Sequence, residues 1–335
     1  MSTLTRGRSR ARTGTVIAAA LLLAAVAVRL LSPASSDALP EALSDFVTLT
    51  LSVIIESVPF VFLGILISIV VQLWVPERLL HRVLPRNPAA RRLTISVLGI
   101  LLPVCECGNV PLARGLMMRG LSVSESVTFL LAAPILNPVT IVTTYQVFGW
   151  EDGILLARIL GALVIANLVG WLFSHAPQQE QLLTPGFRAS CAAPHPHDHG
   201  RTPRMLEALS LFRSETTAIM PALFVGSAIA GLIQVAATRD LLVTLGSDPI
   251  WSVLALMALA FVVALCSNVD AFFILALGST FMPGSIVAFL VFGPMIDVKM
   301  LALLRTTFTT RTLVTLTALV ALSAAALGLG VNLVA

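Results

Sequence analysis

The sequence predicts an all-α polytopic membrane protein, and three observations carry that prediction. Of the 335 residues, 57% are hydrophobic and 11% charged, where a soluble domain carries roughly 25% charged residues. The mean hydropathy is +0.95. Apolar runs close to ~20 residues, the length that crosses ~30 Å of hydrocarbon, recur along the chain. A two-domain soluble enzyme, a disordered regulator and a secreted disulfide scaffold are excluded, because each needs more polar surface or more than the 4 cysteines present. The 21 Lys and Arg against 17 Asp and Glu lie between apolar runs. They therefore report topology, and no nucleic-acid partner is expected.

Spans are predicted at 15–32, 46–74, 123–148, 152–174, 216–237, 285–304 and 312–334. Residues 93–120 and 250–282 start apolar and are then interrupted by CECGNVP from Cys105 and CSNVD from Cys266. A smooth helix through Gly108, Asn109 and Pro111 is not expected. Each region is read as a re-entrant or broken helix hairpin, which a membrane tolerates only where it faces protein or water. Basic residues orient the chain, since cytoplasmic loops are enriched in Lys and Arg. With the N-terminal Arg6, Arg8, Arg10 and Arg12 inside, hairpins at both interruptions also keep Arg78 to Arg92, Arg114, Arg119, Arg188, Arg201, Arg204, Arg305 and Arg311 inside. The expected location is a multi-pass cell membrane protein with a cytoplasmic N-terminus. The first span is read as a retained anchor, a cleaved signal sequence being the alternative.

An internal repeat emerges by offset. Pro59, Gly64 and Gln72 recur as Pro221, Gly226 and Gln234, each 162 positions on. The stretch CGNV from Cys107 recurs as CSNV from Cys266, and APILN around Pro134 as GPMID around Pro294. The chain divides into a basic segment with an extra anchor (1–45), a first repeat (46–174), a His-containing linker (175–215) and a second repeat (216–335). Three full crossings plus a hairpin are an odd number, so the second unit lies upside down relative to the first. In inverted-topology repeats of this kind the solute site lies where discontinuous helices of the two halves meet, near the midplane. For the repeated Pro59, Gly64, Pro221 and Gly226, packing kinks and close helix approach are the favoured reading.

Ionisable groups inside apolar segments are costly and usually line a pathway. Glu56, Glu106, Arg114, Asp270, Asp297 and Lys299 fall in or beside such segments. Arg114 is placed to reach a carboxylate across the repeat interface, with snorkelling as the alternative for Arg114 and Lys299. Three of the four cysteines, Cys105, Cys107 and Cys266, lie in the two interruptions, and thiolates select soft species such as Cu(I), Zn(II) or a trivalent arsenical. Small thiols also suit tight packing, and C-x-C lacks the second pair of a zinc ribbon. Asn109, Asn137 and Asn268 can hold freed backbone groups or a polar ligand. His195, His197 and His199 with Cys191 are read as a solvated tether rather than a metal site. No phosphate loop, G-x-S-x-G or H-E-x-x-H is present, so no ATP-driven step, hydrolase chemistry or cofactor is expected in this chain.

The stretch from Leu101 to Gly120, followed by AAPILNPVT from Ala132 and echoed by CSNVDAFF and FGPMIDVKM, resembles the predicted permease family that includes the organoarsenical efflux permeases. The resemblance covers Phe46 to Val334. It implies a multi-span permease with a two-fold repeat and, in one branch, export of trivalent organoarsenicals. By motif position it carries over onto Cys105, Cys107, Gly108, Pro111, Arg114, Pro134, Asn137, Pro138, Cys266, Asp270, Pro294, Asp297 and Lys299. Glu106 departs from the small residue that relatives often have there, and an extra carboxylate suits a cation or a proton-coupled species. The expected function is secondary transport of a small thiophilic or cationic solute, with possible homo-oligomers in the lipid bilayer. Two other readings stay open: a membrane thiol-disulfide oxidoreductase using the same cysteines, and a scaffold subunit.

Overall fold

The computed structural model describes residues 41–75, 82, 84–101, 104–192, 204–236, 249–276 and 281–334. The predicted first span, the basic start and His195, His197 and His199 of the linker lie outside the described residues. The first half contains α1 (Glu41–Trp74), α2 (Pro88–Val97) continued by a 3₁₀ turn, α3 (Glu106–Met118), α4 (Val123–Ala132), α5 (Pro138–Phe148) and α6 (Ile154–Ser174). A 3₁₀ turn at Gln179–Leu182 and α7 (Pro185–Ala192) follow. The second half contains α8 (Arg204–Ala236), α9 (Pro249–Val263), α10 (Asp270–Leu275), α11 (Pro283–Met295), α12 (Val298–Leu304) and α13 (Thr310–Val334). No strand occurs among the described residues, where Leu183 and Phe308 form an isolated bridge. Among the described residues, five segments are long and apolar enough to cross a membrane.

Among the described residues the two halves run through six helices each in the same order, and their internal packing corresponds. In the first half α2 lies parallel to α4, with Arg91 on Glu125 at one end and Gly99 against Ala133 at the other. In the second, α9 lies parallel to α11, with Ser252 on Ser285 and Ala260 against Gly293. Parallel neighbours joined by a single helix require that helix to return, so the 88–118 stretch is a hairpin, as expected. The long first helices α1 and α8 pack antiparallel: Phe62 stacks on Phe212, and further along Thr50 meets Gly231. Helices in lipid approach closely through small residues. An ideal Cβ on Gly64 would stand 2.2 Å from the carbonyl oxygen of Gly108, and one on Gly226 would stand 3.2 Å from the Lys299 Cα. The packing alternative for these two glycines is therefore the one the contacts support.

Three sequence expectations are corrected. The span 123–148 is two helices, because the backbone opens between Ala133 and Asn137 ahead of Pro138. The span 285–304 stands, as the membrane-length segment Pro283–Leu304, although its backbone also opens at Ile296 and Asp297 between α11 and α12. Conversely, α3 runs through Gly108, Asn109 and Pro111, and the interruption precedes it. Pro111 still acts, since without an N–H it deprives the Cys107 carbonyl of its helical donor. The helix read as beginning at 216 extends back to Arg204.

Candidate site between the two halves

Four helix starts converge where the halves meet. Cys105 is the N-cap of α3 and Glu106 its first residue. Asn137 caps α5 by accepting the Val139 N–H at 2.9 Å, and Asp297 caps α12 by accepting that of Met300. Asp270 opens α10. Side-chain oxygens are favoured at these positions because the first N–H groups of a helix have no internal acceptor and carry a partial positive charge. Asn137 and Asp297, 160 positions apart, cap their helices in the same way. The correspondence extends to their surroundings: the Asn137 amide donates to the Val104 carbonyl at 3.1 Å, while Lys299 Nζ donates to the equivalent Ala264 carbonyl at 3.4 Å. Ala264 holds a φ of +50°, the left-handed region that L residues seldom adopt.

Among the described residues, two buried ion pairs cross between the halves at these helix starts. Lys299 Nζ lies 3.3 Å from Glu106 Oε1, with side-chain exposures of 2% and 1%. Arg158 Nη2 lies 2.5 Å from Asp270 Oδ2, at 1% and 3%. In each pair the carboxylate belongs to the interrupted segment of one half and the cation to the other half. Charges this deeply buried are tolerated only when paired and hydrogen-bonded. The pairs are linked: Arg158 donates to Thr144 Oγ1 at 2.6 Å, Thr144 to the Thr140 carbonyl, Thr140 Oγ1 to Asn268 Oδ1 at 3.1 Å, and Ser267 Oγ to Glu106 Oε2 at 3.4 Å. Thr140 Oγ1 lies 3.4 Å from Ser267 Oγ, which closes the chain.

The thiols join at Glu106. One ligand atom each from Cys105, Glu106 and Cys266 falls within 4.8 Å of the others, with Cys266 Sγ 3.8 Å from Glu106 Oε2. Cys105 also neighbours Cys107, whose own Sγ points to Ser57 Oγ at 3.6 Å. All three are free thiols. Several buried polar atoms nearby have no hydrogen-bond partner among the described residues: both amide atoms of Asn109, Asp297 Oδ2 and Asp270 Oδ1. Orphaned groups of this kind are rare in a finished core and mark places where a ligand or water completes the set.

Ten of the eleven sequence-predicted site residues therefore fall on the converging helix starts: Cys105, Glu106, Cys107, Asn109, Asn137, Cys266, Asn268, Asp270, Asp297 and Lys299. Arg114 does not. It lies two turns further along α3, where Nε donates to Glu215 Oε2 at 2.9 Å, Nη1 to Thr307 Oγ1 at 3.2 Å and the guanidinium rests 4.2 Å over the Phe187 ring. It reaches a carboxylate of the second half, as expected, but in a separate cluster. Glu56 is exposed on α1. Arg158, Thr140, Thr144 and Ser267 escaped the sequence reading. Arg158 carried a usable signal, a lone arginine inside an apolar span; the hydroxyl residues carried none.

Buried, paired charges between two packed sets of membrane-length helices define a multi-pass membrane protein with a polar centre, the class to which permeases belong. The sequence profile described as "Predicted permease" matches residues 42–333, and the chain belongs to that family. It is 34% identical over 264 residues to the UPF0718 protein YcgR of Bacillus subtilis, covering 78% of this chain and 88% of that protein. It is 30% identical over 276 residues to a Streptococcus mutans protein named as a subunit of a two-component membrane permease complex, covering 82% and 90%. The UPF0718 protein YraQ of Escherichia coli matches at 28% over 120 residues, 35% of each chain. No solved structure matches the chain.

Proposed function

We propose that this permease is a secondary transporter of a small thiophilic or cationic solute, a soft metal ion or a trivalent organoarsenical, moving through the site between its halves. One observation carries the reading: Cys105 and Glu106 of the first half and Cys266 of the second bring two thiols and a carboxylate within 4.8 Å in a buried centre. Such a donor set suits a soft ion over a hard one. The antiparallel α1 and α8 and the matching element order support inverted halves, for which alternating access follows from rocking one half on the other. The ion pairs Glu106–Lys299 and Asp270–Arg158 span the rocking interface, so solute binding at Glu106 competes with Lys299 and couples occupancy to the contact between halves. Proton coupling through the carboxylates belongs to the same reading.

The ends of α1, α3, α6 and the turn before α13 share one face, with Arg86, Arg91, Arg119, Arg188, Arg305 and Arg311, while the loop between α5 and α6 carries Glu151 and Asp152. The basic face is assigned to the cytoplasm, and efflux is the direction adopted. The oxidoreductase alternative needs thiols that a partner can reach, whereas Cys105, Cys107 and Cys266 are 1–3% exposed. The test is accumulation of a panel of soft cations and trivalent arsenicals in everted vesicles, comparing wild type with Cys105→Ser, Cys107→Ser, Cys266→Ser and Asp270→Asn at matched expression. The reading expects uptake of at least one panel member that the Cys105, Cys266 and Asp270 variants lose. Uptake indifferent to the cysteines would end the soft-ligand reading and leave a permease for another solute.

A further inference from the structure

A cavity of about 760 Å³ lies well away from the paired charges, between the last turn of α6, the segment after it and the first turns of α13. Apolar Leu172, Phe173, Leu182 and Leu319 line it together with polar His175, Gln178, Arg311 and Thr315. None of the residues that line it belongs to the proposed transport site, and the inference below does not depend on that reading.

Three features specify an occupant. The first is charge. Arg311 stands in the first turn of α13, a helix of 25 residues with no acidic residue in that turn. Its guanidinium has no carboxylate partner among the described residues. A helix start carries a partial positive charge and favours anions, so a cation placed there leaves two like charges together until an anion joins them. The second feature is depth. The cavity sits where α6 and α13 meet the basic face, beside the exposed Trp171, whose ring packs edge-on against His175 at 4.8 Å. Tryptophan collects at the headgroup level of a bilayer. The third is shape. Far more room is present than an inorganic anion fills, and Leu172 of the lining is 39% exposed.

We propose that this cavity is a binding site for an anionic phospholipid, its phosphate on Arg311 and the start of α13, its acyl chains along Leu172 and Leu319. Occupancy has a structural consequence. The segment that roofs the cavity is hydrogen-bonded to the turn before α13, through Thr309 N to the Leu182 carbonyl, Thr184 N to the Thr307 carbonyl and Thr312 Oγ1 to the Leu182 carbonyl. A lipid there braces α6, α13 and the docked linker as one unit.

The experiment uses the full chain, purified and delipidated in a neutral detergent, with thermal melting followed as phosphatidylglycerol, phosphatidylcholine or inorganic phosphate is added. Phosphatidylglycerol is expected to raise the melting temperature of wild type and Arg311→Lys, and phosphatidylcholine and phosphate to do so far less. Arg311→Gln, a change at an exposed position, should weaken the half-maximal phosphatidylglycerol response about five-fold, the factor for one basic group at an anionic lipid surface. Native mass spectrometry should show one tightly held phosphatidylglycerol on wild type and less on Arg311→Gln. An unchanged response in Arg311→Gln, a response to phosphate equal to that for lipid, or no preference for phosphatidylglycerol over phosphatidylcholine would each overturn the proposal.

Discussion

Replacing Lys299 by methionine removes the charged partner that Glu106 has among the described residues. The ammonium lies 3.3 Å from Glu106 Oε1, and both side chains are at most 2% exposed. Without it the carboxylate keeps the Ser267 hydroxyl at 3.4 Å and the Cys266 thiol at 3.8 Å, which solvate a full charge poorly. Removing one member of a buried pair costs about 3–5 kcal/mol, because the other stays buried and uncompensated. At about 2–4 °C per kcal/mol for a chain of a few hundred residues, the melting temperature should fall by on the order of 10 °C. The double variant Glu106→Gln/Lys299→Met replaces both charges with groups of similar size, and should recover most of that loss. The assay is thermal melting of all four proteins in one detergent, read as a double-mutant cycle. Strictly additive effects, or a single variant within about 1 kcal/mol of wild type, would refute the claim that this pair is desolvated and mutually dependent.

Three further predictions follow from other parts of the structure. Arg158→Gln should destabilise comparably, and Asp270→Asn should rescue it; melting temperatures decide this. Gly64→Ala places a methyl 2.2 Å from the Gly108 carbonyl oxygen and should lose folded protein in size-exclusion profiles, whereas Gly186→Ala, with no atom within 4 Å, should not. Cys191 lies outside the spans, where burial pushes its thiol above the ordinary value of 9.0 and the neighbouring Arg114 pulls it back. A raised value means less thiolate at neutral pH, so maleimide labelling should be slow at pH 7 and accelerate as pH rises; Arg114→Gln should slow it further.

The sequence made much of this arrangement legible because membranes impose strong patterns. Apolar length gives the long helices, breaks in the apolar runs give both interruptions, and the offset of about 160 relates the two interruptions to each other. The pairing of Asn137 with Asp297 as equivalent helix caps is that offset expressed as chemistry. What stayed hidden depends on contacts distant in the chain. Lys299 and Glu106 are 193 positions apart and Arg158 and Asp270 112, so no local pattern assigns those partners. Arg158 was overlooked because its span is otherwise uniformly apolar and reads as an ordinary crossing. The opening at Pro134 to Asn137 was overlooked for a related reason: α4 and α5 are each apolar, and hydropathy does not register a change of direction within an apolar run. Arg114 was misplaced because depth along a helix cannot be read from residue type, and two turns separate a pathway residue from one that clamps α3 to α8 and α7.

The most direct test of the central claim is whether one soft ligand bridges thiols from both halves. Phenylarsine oxide, which prefers paired thiols, should bind the purified protein at one equivalent per chain with Cys191 replaced by serine, and further replacement of Cys105 or Cys266 by serine should each abolish that tight binding. Full binding retained after loss of Cys266, or binding that disappears with Cys191 alone, would contradict a shared centre between the two halves.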